Sequence, residues 1–208
     1  MESRRITVLS AGLGVPSSSR LLADQLAASA EHHLAAAGYA ADIRVLELRD
    51  LAVDIANNFV TGYAAPRLAD VIAGVEASDG IIAVSPVFSA SYSGLFKSFI
   101  DVLDPKALEG KAVLLGVTAG TDRHQMVLDF AMRPLFSYLR TRIANTAVFA
   151  GPQDWGNNDD GGSPLSTRID RAAGEFAALL QGAQPQQKQP AAESLPFEEL
   201  LAGISARR

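Results

Sequence analysis

There is no cysteine among the 208 residues. Its absence excludes disulfides, thiolate nucleophiles, cysteine-held iron–sulfur clusters and zinc-finger sites. Histidine is scarce as well. His32, His33 and His124 are too few and too scattered for a multi-histidine metal centre, so no metal site is expected. Nowhere does the chain reach the roughly 18 consecutive apolar residues of a membrane helix. It also lacks a basic excess: 18 Lys and Arg face 23 Asp and Glu, a net charge of −5. General attraction to nucleic acid or to anionic membrane is therefore not expected. Met1-Glu2-Ser3-Arg4-Arg5 lacks the layout of a secretory signal, and the expectation is a cytoplasmic protein. Chemistry on this chain must use oxygen groups, backbone dipoles or a borrowed cofactor.

The length suggests one domain of about 150 residues plus extras. Short apolar runs alternate with helical stripes. Ile6-Thr7-Val8-Leu9-Ser10 reads as a first strand, and Leu22, Leu26, Ala30 and Leu34 mark a helix after it, with Gly38 placed to end it. Residues 42–46 read as a second strand. Pro66 opens a helix that runs to about residue 78, with Leu68, Ile72 and Val75 inward. Residues 80–85 form a third strand, apolar on both faces. Tyr92, Leu95, Phe96, Phe99, Ile100 and Leu103 make the next helical stripe. Residues 112–118 are a fourth strand. Residues 123–140 read as a helix with Val127, Phe130, Leu135 and Leu139 inward and a kink at Pro134. Residues 145–150 are a fifth strand, and 165–180 a last helix. Strands apolar on both faces, each followed by an amphipathic helix, imply an α/β fold: a parallel sheet covered on both sides. The expected architecture is the flavodoxin-like one, five parallel strands in the order 2-1-3-4-5. The domain is expected to occupy residues 1–182. Residues 183–208 are expected to be a Gln/Pro-rich linker and a short terminal helix or tail.

In such a sheet ligands bind at the carboxyl ends of the strands. Three loops qualify. The first contains Gly12-Leu13-Gly14 and then Ser17-Ser18-Ser19-Arg20. It lacks the third glycine of a dinucleotide fingerprint and the Lys-Ser/Thr of a nucleotide P-loop. A Gly/Ser turn entering a helix still makes an anion site, suited to a phosphate monoester; the alternative is that the serines only cap the helix. The second loop, Ser85-Pro86-Val87-Phe88-Ser89-Ala90-Ser91-Tyr92-Ser93-Gly94, offers either a flat apolar ledge for a planar ring or an ordinary turn with Phe88 in the core. The third, Thr118-Ala119-Gly120-Thr121-Asp122-Arg123-His124, lets a ligand approach its N–H groups closely. His124 is read as a surface residue at a helix start, the alternative being contact with a substrate, and His32 and His33 as solvated.

These loops, in this order, resemble the NADPH-dependent FMN reductases of the flavodoxin-like superfamily. The resemblance is carried by Ser85-Pro86-Val87-Phe88, by Ser93-Gly94-Leu95-Phe96-Lys97-Ser98-Phe99-Ile100-Asp101, and by Thr118-Ala119-Gly120-Thr121. Met132-Arg133-Pro134-Leu135-Phe136 is most similar to the FMN reductases that partner luciferase-like monooxygenases. The phosphate loop departs from the common Gly-Ser-x-Arg, since Arg20 follows the serines. The third loop has Ala119-Gly120 where Gly-Gly is common.

The resemblance implies FMN as cofactor and NADPH or NADH as co-substrate. Ser10, Ser17, Ser18 and Ser19 would hold the phosphate. Pro86, Val87, Phe88 and Ser89 would line one side of the isoalloxazine, and Thr118, Ala119, Gly120 and Thr121 would face its pyrimidine edge. No side chain is expected to be catalytic, because the flavin carries the chemistry. A homodimer or homotetramer is implied, with Lys97 and Asp101 on a helix either at a dimer contact or solvated. A flavin-dependent monooxygenase would receive the reduced FMN. An FMN electron carrier and a quinone or azo reductase are the alternatives on the same fold.

Overall fold

The computed structural model describes residues 2–155 and 164–182. The expected linker and terminal helix lie outside them. Strand β1 (Glu2–Ser10) leads through the first loop into α1 (Ser18–Ala36). After it come β2 (Tyr39–Glu47), a 3-10 turn (Leu48–Leu51), α2 (Ala52–Thr61) and α3 (Pro66–Ala77). Next come β3 (Gly80–Phe88), β4 (Ser91–Tyr92), α4 (Gly94–Asp101) and β5 (Ala112–Thr118). The described chain ends with α5 (Arg133–Tyr138), β6 (Arg142–Ile143), β7 (Val148–Ala150) and α6 (Leu165–Gln181).

The main path of the sheet is β2-β1-β3-β5-β6, all parallel, with β7 also pairing with β5. The fifth strand expected over 145–150 is shorter, β7 alone, and β6 is an additional strand before it; both pair with β5, so the order 2-1-3-4-5 holds. Side chains alternate across the central strands. Ile81 and Ala83 join Leu9, Leu68, Val75, Phe96, Phe99 and Phe136 on one face. Ile82 and Val84 join Ile6, Val8, Leu22, Leu26, Leu34 and Phe176 on the other. Helices α1 and α6 cover the second face, and the remaining helices cover the first. Burying each of these large side chains stabilises the fold by about 1.5–3 kcal/mol. Lys111, immediately before β5, is buried. Its ammonium donates to the carbonyls of Glu76 (2.8 Å) and Ser78 (2.7 Å) at the end of α3, and burial lowers its pKa.

Three expectations are corrected. The second loop is largely strand: β3 runs on to Phe88 and turns back through Ser89 and Ala90 into β4, pairing Val87 with Tyr92 and Phe88 with Ser91. Tyr92 therefore sits on a strand, although its ring still meets Phe96 at 5.8 Å. Both turn residues have positive φ, 49° and 64°, as a two-residue hairpin of matching twist requires. The helix expected over 123–140 is broken. A wide turn at Leu128–Met132 closes i→i+5 bonds, and Pro134 begins α5 in its first turn. The extra residue shifts the register and rotates Phe130 outward, to 73% exposure, while Val127 and Leu139 stay buried. His33 is not simply solvated: its Nε2 meets Asp170 Oδ1 at 2.9 Å, joining α1 to α6. Helix α2 has no counterpart in the expectations.

Candidate functional site

Strands β1, β3 and β5 end side by side. Ser10 is in register with Val84, and Pro86 with Thr118. The three loops therefore leave one edge of the sheet together, beside the point where the chain crosses from one face to the other.

The first loop is tight. A Cβ at Gly12 would overlap Ser17 Oγ and lie 3.2 Å from Ser17 Cβ and from Ser19 Cβ, so the close approach requires glycine. The three serines divide their work. Ser17 is the N-cap of α1; its hydroxyl accepts the Arg20 N–H at 3.2 Å. Ser19 is buried, and its hydroxyl lies 2.7 Å from that of Thr118, which ties the first loop to the third. Ser18 is exposed at the first turn. Ser10 is 1% exposed, and its hydroxyl has no hydrogen-bond partner. Among the described residues, nothing accepts the N–H groups of Gly12, Leu13, Ser18 or Ser19. A helix start with a buried, unpaired hydroxyl and free N–H groups is shaped for an anion.

The second segment supplies a ridge. Pro86 and Val87 are half-buried on β3, and Phe88 is 47% exposed rather than tucked into the core. Ser89 is exposed at the hairpin turn. Ser85, at the base, accepts the Ser93 N–H at 2.9 Å, and Ser93 caps α4 by accepting the Phe96 N–H at 3.1 Å. Lys97 and Asp101 form an ion pair on α4, 2.6 Å apart.

On the third loop Ala119 is half-buried and its N–H is taken by the Ala150 carbonyl at 3.1 Å, so the donors left are those of Gly120 and Thr121. Space around Gly120 is open. Asp122 braces the loop from behind, accepting a bond from Gln153 and packing against Gly151. His124 lies in the short turn after it, half-exposed.

One group is not anticipated from sequence. Glu47, at the end of β2 and in register with Ser10, accepts from Arg20 at 2.8 Å and pairs with Arg49 at 2.6 Å. Arg49 also donates to the Gly14 carbonyl at 2.6 Å. Hydrogen bonds that Arg20 donates to Asp24, and then to Glu47, hold it more firmly protonated than usual, against partial burial. An ordinary polar turn after an edge strand gives no signal of this, because Arg20 lies 27 residues from Glu47 and Gly14 lies 35 from Arg49.

Comparison with known proteins points to one family. The family model for NADPH-dependent FMN reductases matches residues 4–156. An FMN reductase (NADPH) of Pseudomonas aeruginosa is 35% identical over 182 residues, 88% of this chain and 95% of that protein. The NADH-dependent FMN reductase SfnF of Pseudomonas fluorescens is 32% identical, covering 86% of this chain and 92% of its own length. The crystal structure of an oxidoreductase from Corynebacterium diphtheriae superposes with a TM-score of 0.84 at 40% identity, covering 88% of this chain and all of that one. On a flavodoxin-like sheet whose three loops meet at one edge, with the match running from β1 to past β7, the chain belongs to the NADPH-dependent FMN reductase family.

Proposed function

We propose that FMN binds along the edge formed by the three loops and is reduced there by NADPH or NADH. The reduced flavin then passes to a flavin-dependent monooxygenase. The observation that carries this reading is the first loop: the unpaired, buried Ser10 hydroxyl beside N–H groups without acceptors fits a phosphate. Ser10, Ser17, Ser18 and Ser19 would surround it. Pro86, Val87, Phe88 and Ser89 would bound one side of the ring system. Thr118, Ala119, Gly120 and Thr121 would bound its pyrimidine edge.

When bound, FMN supplies the hydride acceptor, and the protein supplies position and electrostatics. The chain's own residues do the following. The first turn of α1 offers N–H groups and the positive end of its dipole to the phosphate. Phe88 and Val87 present an apolar surface that keeps water from one side of the ring. The Gly120 and Thr121 N–H groups, without acceptors among the described residues, would stabilise negative charge on the pyrimidine edge of a bound flavin. The Ser19–Thr118 bond fixes the spacing between the two ends. No side chain has to accept or release a proton.

The reading includes a homo-oligomer working in the cytoplasm, where nicotinamide nucleotides are available. Phe88, Met126, Phe130 and Tyr138 are large apolar side chains left exposed, which is compatible with assembly. Among the described residues no helix is long and apolar enough to cross a membrane.

Ser17→Asp tests the phosphate site. Aspartate is as good an N-cap as serine, so folding is retained. Its charge next to the phosphate should weaken FMN roughly tenfold or more. Unchanged FMN affinity in a folded variant would move the phosphate elsewhere.

A further inference from the structure

Residues 11–17 of the first loop carry no cation, yet two guanidinium groups, Arg20 in the first turn of α1 and Arg49 after β2, brace the loop. Arg49 donates one N–H to the Gly14 carbonyl (2.6 Å), and its other terminal nitrogen pairs with Glu47 (2.6 Å). The second oxygen of Glu47 accepts from Arg20 (2.8 Å), and Arg20 is held in turn by Asp24 (2.8 and 2.9 Å). Asp50 lies 3.7 Å from Arg49. Two positive groups thus stand among three negative ones, so the cluster carries no surplus positive charge to offer an anion. Its side chains are no more than about two-fifths exposed at Arg20, Glu47 and Arg49. Each guanidinium is spent on an internal partner, in the forked geometry that arginine provides and lysine does not.

The effect on the backbone is directional. In a trans peptide the carbonyl and the following N–H point opposite ways. Holding the Gly14 carbonyl on Arg49 therefore turns the Val15 N–H to the other face of the loop. Glu47 sits in register with Ser10, so the anchor of the cluster is fixed to the strand that delivers the orphan hydroxyl.

We propose that Arg49 is a positioning residue, and that the Arg20–Glu47–Arg49 clamp sets the enzyme's preference for phosphorylated over unphosphorylated flavin by fixing the shape of loop 11–17. The inference rests on the reading of that loop as the phosphate site. The clamp does not touch the phosphate. It holds the donors that do, and it leaves the ring-binding segments on β3 and β5 alone.

Glu47→Gln separates this from simple electrostatics, because the two accounts predict opposite signs. Removing a negative charge near a phosphate should tighten FMN if the cluster acts through space. It should weaken FMN if the carboxylate's bonds to both arginines hold the loop. Flavin fluorescence quenching with FMN and with riboflavin, and steady-state kinetics with both, give the readout for wild type, Arg49→Ala, Arg49→Lys and Glu47→Gln. The clamp predicts that Arg49→Ala and Glu47→Gln each raise Kd and KM for FMN about tenfold, the size of one lost charge-assisted bond. Riboflavin affinity and kcat at saturating FMN stay at the wild-type value. Arg49→Lys falls between, since one ammonium cannot span both Gly14 and Glu47. Tighter FMN in Glu47→Gln overturns the clamp, as does an equal loss of FMN and riboflavin affinity in the folded lysine variant. A wild-type protein that binds riboflavin as tightly as FMN would instead overturn the phosphate site itself, whatever the variants do.

Discussion

Replacing Gly12 by alanine is the most direct probe of how the first loop is built. The added Cβ would overlap Ser17 Oγ, the atom that caps α1, and would press on Ser17 Cβ and Ser19 Cβ at 3.2 Å. Two costs combine. Over-packing a close contact costs about 1–3 kcal/mol. Driving the hydroxyl off the Arg20 N–H forfeits a cap worth about 1 kcal/mol. For a chain of this size each kcal/mol lowers Tm by roughly 2–4 °C. The cause is specific to one oxygen, so a double-mutant cycle can isolate it. Ser17→Ala alone should cost about 1 kcal/mol. In the Gly12→Ala background it should cost nothing or restore stability, because the cap bond is already lost and Ser17→Ala removes the atom that the new methyl group overlaps. The coupling should be at least about 1 kcal/mol. Thermal unfolding of the four proteins by circular dichroism measures it. Costs that add within about 0.5 kcal/mol would refute the reasoning, and would mean that the loop relaxes around the methyl group without moving Ser17.

Thr118→Val should leave the buried Ser19 hydroxyl without its partner and cost about 1–3 kcal/mol in a denaturant titration, whereas Thr118→Ser should cost less. Glu175 gives a pH-dependent test. Burial alone would raise its pKa, but the Thr146 hydroxyl and N–H outweigh that and hold the carboxyl below its ordinary 4.5. A depressed folded value means stability present above 4.5 and lost as pH falls through the folded value, so the Tm of Glu175→Gln should converge on the wild type only in acid. A constant difference across the acid range would contradict this. His124→Ala should retain turnover at saturating FMN; a loss of about a hundredfold, the least a general acid–base supplies, would show that the half-exposed imidazole takes part.

Legibility in the sequence followed burial. The strands and helices whose apolar residues face a core on a fixed period were readable: Leu22, Leu26, Ala30 and Leu34 on α1 are all fully buried. Helix α2 was not, because Ile55 is its one buried residue and Val53, Phe59 and Val60 face outward. The β3–β4 hairpin was hidden because its turn is Ser-Ala, not the Asn-Gly or Asp-Gly that positive φ usually selects. Phe130 was misplaced because a five-residue wide turn leaves no mark on a 3.6-residue pattern. At the site, the loops and their serines were visible as local strings. Which serine caps, which one reaches Thr118, and which one stands alone were not, since those partners are set by the packing of α1 against β5. The Arg49–Gly14 contact spans 35 residues and could not be read from either end.

The donors at this edge are mostly main chain: N–H groups in the first loop, and those of Gly120 and Thr121 in the third. A ligand held this way is indifferent to many of the side chains around it, and that bears on how such a protein can diverge. Most residues in these loops can drift so long as the backbone keeps its path. What the arrangement tolerates poorly is a change of spacing. One residue inserted between Ser10 and Ser17, or deleted between Thr118 and Thr121, would re-aim every donor at once. On the function proposed above, loop length, more than loop composition, is the quantity on which flavin binding would depend.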